Sequence, residues 1–164
     1  MSESKSIVAK LIATIPQEGR VEWIGVAPKS RAPVVAVTHV ELVAGKGLVG
    51  DHHGKSGRSK RQATIIAKEH IEAIHRFTGI PPIAPERLRR NIVISGINPN
   101  ALKGQRFIIG NALLEGTKPC DPCSRMEQEL GPGGYNAMRG HGGMCAIVLE
   151  GGTISVGDIV RKVD

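Results

Sequence analysis

Trp23, Phe77, Phe107 and Tyr135 are the only aromatic side chains in 164 residues. Proteins that hold single-stranded nucleic acid stack its bases on several ring faces, so this scarcity argues against nucleic acid as a ligand. Cysteine is also sparse: Cys120, Cys123 and Cys145 are an odd number, which leaves no complete disulfide framework and suits a reducing compartment. No stretch approaches the roughly 18 consecutive apolar residues of a membrane span. The N-terminal run MSESKSIVAKLIATIP is interrupted by Lys10 and leads into no small-residue cleavage site, so it does not read as a secretory signal. The expectation is a cytoplasmic protein with no membrane contact.

The abundant residues are glycine (21) and proline (10), with 40% hydrophobic residues overall. That balance limits helix and favours short strands joined by tight turns. The length fits one domain with enough interior to fold without disulfides. Lys and Arg total 22 against 15 Asp and Glu, a formal charge of +7. An anionic partner is the simplest consequence.

Residues 1–19 read as an N-terminal leader or edge segment, and 20–164 as the domain itself. Alternation from Arg20 to Val26, closed by Pro28, predicts a strand, and the Val-rich run 33–43 predicts a second. Residues 44–61 carry five glycines in eighteen positions and read as one long basic loop. After a strand at 62–66, Ala67, Ile71, Ile74 and Thr78 keep helical spacing, with Gly79 and Pro81 as stop signals. Pro85 suits the first turn of a short helix leading into a strand at 91–95. Strands at 105–109 and 112–115 flank the turn pair Gly110-Asn111, and three more follow at 145–150, 153–156 and 159–163. The fold class is mainly β with some α, a β-barrel-like domain with one or two covering helices.

The richest segment chemically is KPCDPCSRMEQELGPGGYNAMRGHGGMC. Ser124 and Glu127 have capping-box spacing, which predicts a short helix over 125–130 with Cys123 just before its N-cap. A helix start and the neighbouring basic residues favour the thiolate, the form that attacks electrophiles, carries persulfide or ligates metal. Cys120, three residues upstream, shares part of that setting, and either cysteine is a candidate reactive thiol. Two other readings compete: a pair of ordinary small buried residues, and a structural zinc site from Cys120, Cys123, His141 and Cys145. In the zinc reading the protein is a non-enzymatic binding module with a basic surface. Against zinc, alternation in CAIVLE explains Cys145 as a core strand position.

Asp51, His52 and His53 lie in the glycine loop, where either histidine suits a general acid or a donor to bound phosphate. Lys55, Arg58 and Arg61 follow among glycines whose N–H groups are free to line an anion site. Arg87, Arg89 and Arg90 form a second basic group whose forks suit phosphate or carboxylate.

Taken in order, these pieces resemble the MOSC domain, named for the C-terminal part of molybdenum cofactor sulfurases. The likeness rests on Gly47–Gly54 (GLVGDHHG), Arg61-Gln62 entering a strand, Glu69, Arg89-Arg90-Asn91 with the strand to Gly96, Gly104–Phe107, Cys120–Arg125 and Gly151–Asp158. It spans residues 20–163. The resemblance implies a β-barrel-type fold and a cysteine tied to sulfur transfer or molybdenum ligation, with Cys123 preferred over Cys120. It also implies a molybdenum–molybdopterin cofactor whose phosphate suits Lys55, Arg58 and Arg61 or the arginines before Asn91. Asp51, Gln62, Arg89, Arg90 and Asn91 are carried over as cofactor-binding residues. Some relatives reduce N-hydroxylated compounds, and a redox or sulfur-donor protein is the implied partner. Pyridoxal phosphate enters only as a family association. Upstream desulfurase and substrate-binding domains are not recognised, so a stand-alone single-domain member is expected.

Overall fold

The computed structural model describes residues 2–55 and 59–164, the side chains of 2–5, 54 and 55 excepted. Its centre is a closed barrel of seven strands, β1 (Gly19–Val26), β11 (Ile159–Val163), β7 (Arg106–Ile109), β8 (Ala112–Pro119), β9 (Met144–Glu150), β5 (Ala63–Ala67) and β6 (Ile92–Ser95), with β6 returning to β1. Closure comes from the pairing Gly19↔Val160. It leaves few open edges to pair elsewhere. The β5–β6 pair is parallel, and the other pairs around the barrel are antiparallel. Strands β3 (His39–Val43), β4 (Gly47–Leu48) and β10 (Gly152–Ser155) form a second, smaller sheet.

Two apolar cores follow from the strand faces. Ile24, Ile65, Ile92, Ile94, Phe107, Leu114 and Val148 fill the barrel. Ile66 and Val93, the alternate residues of β5 and β6, point outward and pack under the helices α2 (Lys68–Thr78), α3 (Pro85–Leu88), α4 (Ser124–Leu130) and α5 (Gly134–Met138). β5 is therefore buried at all five positions, as a strand covered on both faces must be. Helix α2 ends as expected at Gly79 (φ 68°), whose N–H donates to the His75 carbonyl.

Three local expectations change. Ser2–Ala13, within the segment read as a leader or edge, forms a helix, α1. The 33–43 run is two strands: β2 (Val35–Val37) joins β1, while β3 crosses to the small sheet. The basic loop contains the short strand β4 and a 3-10 turn at His52–Lys55. No helix among the described residues is long and apolar enough to cross a membrane.

Candidate anion and thiol site

Three connections meet at one end of the barrel: the β1–β2 loop, the β4–β5 loop and the α3–β6 junction, with the start of α4 beside them. They enclose a cavity of about 190 Å³. Asp51, His52, His53, Arg61, Arg89, Arg90, Asn91 and Cys123 all line it. Arg31 and Arg125 line it too, neither of them among the cofactor-binding residues carried over by resemblance. Arg31 lies in a loop bracketed by Pro28 and Pro33, and that bracket with its basic residue was the only local signal. Arg58 and the Lys55 side chain lie outside the described residues.

The acid at the centre is fully engaged. The Ala27 N–H donates to Asp51 Oδ1 at 2.8 Å, and the His53 N–H donates to Oδ2 at 3.2 Å. His53 Nδ1 lies 3.1 Å from the same Oδ2. Burial alone would raise the Asp51 pKa, but the hydrogen bonds from His53 and Ala27 and the charge of His53 together hold it below the usual carboxylate value. His52 Nδ1 sits 3.0 Å from the Ala27 carbonyl, which requires Nδ1–H as donor. Both imidazoles thus keep Nε2 as the atom available to a ligand or proton. Asp51, His52 and His53 are also, among the described residues, the one group of ligand atoms close enough to hold a metal ion. Their Nδ1 and carboxylate atoms are already paired with one another or with Ala27, and five arginines line the same cavity. That field suits an anion better than a bare cation.

The arginines divide by role. Arg90 is 4% exposed and donates to three carbonyls, Gly142 at 2.7 Å, Leu88 at 3.1 Å and Cys120 at 3.1 Å. It pins the α3–β6 junction to the 120 and 142 loops, with each of its three nitrogens donating to a carbonyl. Gly142 makes that contact feasible, since a Cβ there would stand 2.1 Å from the Cys120 carbonyl oxygen. Asn91 is similarly committed, accepting from the Thr64 N–H and hydroxyl and donating to the Gly25 carbonyl. Arg31, Arg61, Arg89 and Arg125 have no carboxylate within ion-pair distance among the described residues. Arg61 Nε is buried and, among the described residues, has no hydrogen-bond partner. Arg31 (φ 67°) and Arg89 (φ 57°) are, among the described residues, the two non-glycine residues in the left-handed region. Such backbone costs on the order of 1 kcal/mol or more and concentrates where ligands are held. Arg89 Nη1 donates to the Ala32 carbonyl at 2.7 Å, tying the two strained arginines together.

The cysteines part company. Cys123 is exposed and lines the cavity. It is itself the N-cap of α4, in extended backbone and with no side-chain cap bond, so the expected Ser124–Glu127 capping box does not form. Glu127 contacts the Gly133 N–H. Cys120 and Cys145 are each 1% exposed. The Cys145 thiol hydrogen-bonds to Cys120 and lowers its pKa; burial opposes this, and the Arg90 and Arg61 guanidiniums assist it. The same hydrogen bond, with burial, pushes the Cys145 thiol up. Gln62 lies away from the cavity, receiving the Val148 N–H on Oε1 and donating to the Ser59 carbonyl. The zinc set Cys120, Cys123, His141 and Cys145 does not converge. His141 instead packs edge-on against His70, ring centroids 5.2 Å apart. Under native conditions, one thiol of the three is expected to react promptly with an alkylating reagent, Cys123, and all three after unfolding. Peptide mapping that found Cys120 modified as fast as Cys123 would overturn this assignment.

The model of the MOSC domain matches residues 49–161, more than half of the chain. No curated protein matches it. Among solved structures, the YuaD protein from Bacillus subtilis aligns with a TM-score of 0.78 at 23% identity, covering 90% of this chain and 97% of that one. YiiM from Geobacillus stearothermophilus aligns at 0.70 and 19% identity, covering 89% and 75%. YiiM from Escherichia coli aligns at 0.67 and 20%, covering 88% and 70%. These structures share the fold, and with the family match they establish that the chain belongs to the MOSC domain family.

Proposed function

We propose that the cavity binds a molybdenum–pterin cofactor, with Cys123 as the thiolate ligand and the arginines as the seat of its phosphate. The observation that carries this reading is the opening of one exposed thiol and four guanidiniums without carboxylate partners onto a single cavity. The residues fit the group on their own chemistry. Arg61 presents a buried donor with no partner among the described residues, a group that is costly to leave unmatched and that a phosphate oxygen would satisfy. A soft thiolate suits molybdenum.

When bound, such a cofactor supplies two-electron redox or sulfur chemistry, which places the protein in sulfur transfer or in reduction of an N-hydroxylated substrate. The chain's own residues then do the rest. Arg61, with the arginines on the adjoining wall, neutralises and orients the phosphate. Asp51 fixes the His53 ring through Nδ1, leaving Nε2 to give or take a proton at the cavity. Asn91 and Arg90 hold the cavity wall rather than the ligand.

The test is molybdenum and pterin content of protein made in a host with intact cofactor synthesis. Wild type is expected to carry both, and Cys123→Ala to lose most of the molybdenum. Equal and negligible amounts in the two proteins would reject ligation. Persulfide labelling of the same pair distinguishes a sulfur carrier, labelled at Cys123, from a metal ligand.

A further inference from the structure

The cavity continues outward at its basic end. A second hollow of about 280 Å³ adjoins it, and Arg31, Val34, Arg89 and Arg125 line both. Its acids are Glu86 and Glu129. Glu129 is already matched by Arg87, whose Nε lies 3.6 Å from Oε2 and whose Nη2 donates to the Glu129 carbonyl. Three guanidiniums on the shared wall therefore face one unmatched carboxylate, Glu86.

One phosphate monoester carries a charge of about −1.5 to −2, enough for two guanidiniums. Arg90 is held by three carbonyls, so Arg31, Arg61, Arg89 and Arg125 are the cations that remain. A single phosphate leaves roughly two of them without a counter-charge. They are also crowded: burial and the neighbouring Arg125 make the Arg89 guanidinium less favourable as a cation, and Asp51 and Glu129 offset this only in part. Arg31 and Arg89, both in left-handed backbone, line the wall shared by the two hollows.

We infer that the outer hollow seats a second anionic group, a phosphoryl or carboxylate borne by the substrate, held by Arg31, Arg89 and Arg125 while the cofactor phosphate occupies the inner end beside Arg61. This rests on the inner cavity holding the cofactor. Val34 and Pro33 supply an apolar wall for the organic part of that substrate. The substrate class is accordingly an acid or a phosphate ester.

Inorganic phosphate titrated calorimetrically at low salt into full-length protein free of cofactor tests the two seats separately. Wild type is expected to bind two equivalents. Arg61→Ala, which lines only the inner cavity, should weaken one of them by about tenfold and leave the other within about twofold. Arg87→Ala releases Glu129 as a competing carboxylate in the outer hollow and should weaken the other equivalent by a similar factor. Displacement of the outer equivalent by acetate marks a carboxylate seat, and resistance to acetate marks a phosphoryl seat. A single equivalent in wild type, or both variants weakening the same event, overturns the inference. Absence of molybdenum from the purified protein would defeat the cofactor reading without altering the phosphate stoichiometry, so the two fail independently.

Discussion

Replacing Arg90 with methionine is expected to lower the unfolding free energy by about 3 kcal/mol, because it strips a shared donor from three backbone carbonyls at once. Those carbonyls belong to Leu88, Cys120 and Gly142, so the guanidinium ties the α3–β6 junction to the 120 and 142 segments, which also share the Cys120 N–H to Gly143 carbonyl bond. Each buried acceptor left unmatched costs about 1–3 kcal/mol, while relief of burying the charge returns part of the sum. Methionine keeps the apolar stem, so the difference reports the hydrogen bonds more than the packing. Chemical denaturation of the two proteins measures it. A loss below about 0.5 kcal/mol would mean that the carbonyls find other donors, and Arg90 would no longer count as the pin of the site. The same variant should raise the pH at which Cys120 ionises, since the Arg90 charge favours its thiolate. Thiolate absorbance against pH checks that direction.

Asp51→Asn is expected to cost about 2 kcal/mol near neutral pH, from loss of charge-assisted hydrogen bonds to the Ala27 and His53 N–H groups and to the His53 ring. The Asp51 pKa in the folded chain lies below its ordinary 3.8. A carboxyl with a depressed folded pKa adds stability that is fully present above the unfolded value and disappears as pH falls through the folded value. The gap between wild type and variant should therefore be flat above about pH 5 and shrink below about pH 4. Paired unfolding curves over that range provide the check. A gap that persisted undiminished at about pH 2 would show that Asp51 acts by shape rather than charge.

Several features of the fold were legible because they are encoded within a few residues. The period of Ala67, Ile71, Ile74 and Thr78 with Gly79 beyond it marked α2. Gly110-Asn111 marked the turn between β7 and β8, paired from Ile109↔Ala112 onward. Other features are set by partners from elsewhere in the chain. The 33–43 run divides because Val35–Val37 finds β1 while His39–Ser155 and its neighbours pair in the other sheet. Helix α5 forms in a glycine-rich stretch that carries little helical signal, because burying Ala137 and Met138 under α2 and α4 overrides propensity. At the site, Arg89 and Cys123 line the cavity, while Gln62 hydrogen-bonds to Val148 and Ser59 outside it. Arg31 joined the cavity through a loop some 60 residues away from Arg89 in sequence.

By itself, the sequence determined that this is a mainly β domain of the MOSC type, basic, with its glycines and cationic groups gathered near two histidines and a cysteine pair. Local periodicity, turn chemistry and charge are carried by neighbouring residues and need no fold to be read. The tertiary structure alone decided which thiol opens onto the cavity and which is sealed beside Cys145 and Arg90. It also decided which arginines are free and which are engaged by carbonyls. Burial and hydrogen-bond partnership depend on groups brought together from distant segments, so no spacing within the cysteine motif could have separated Cys123 from Cys120.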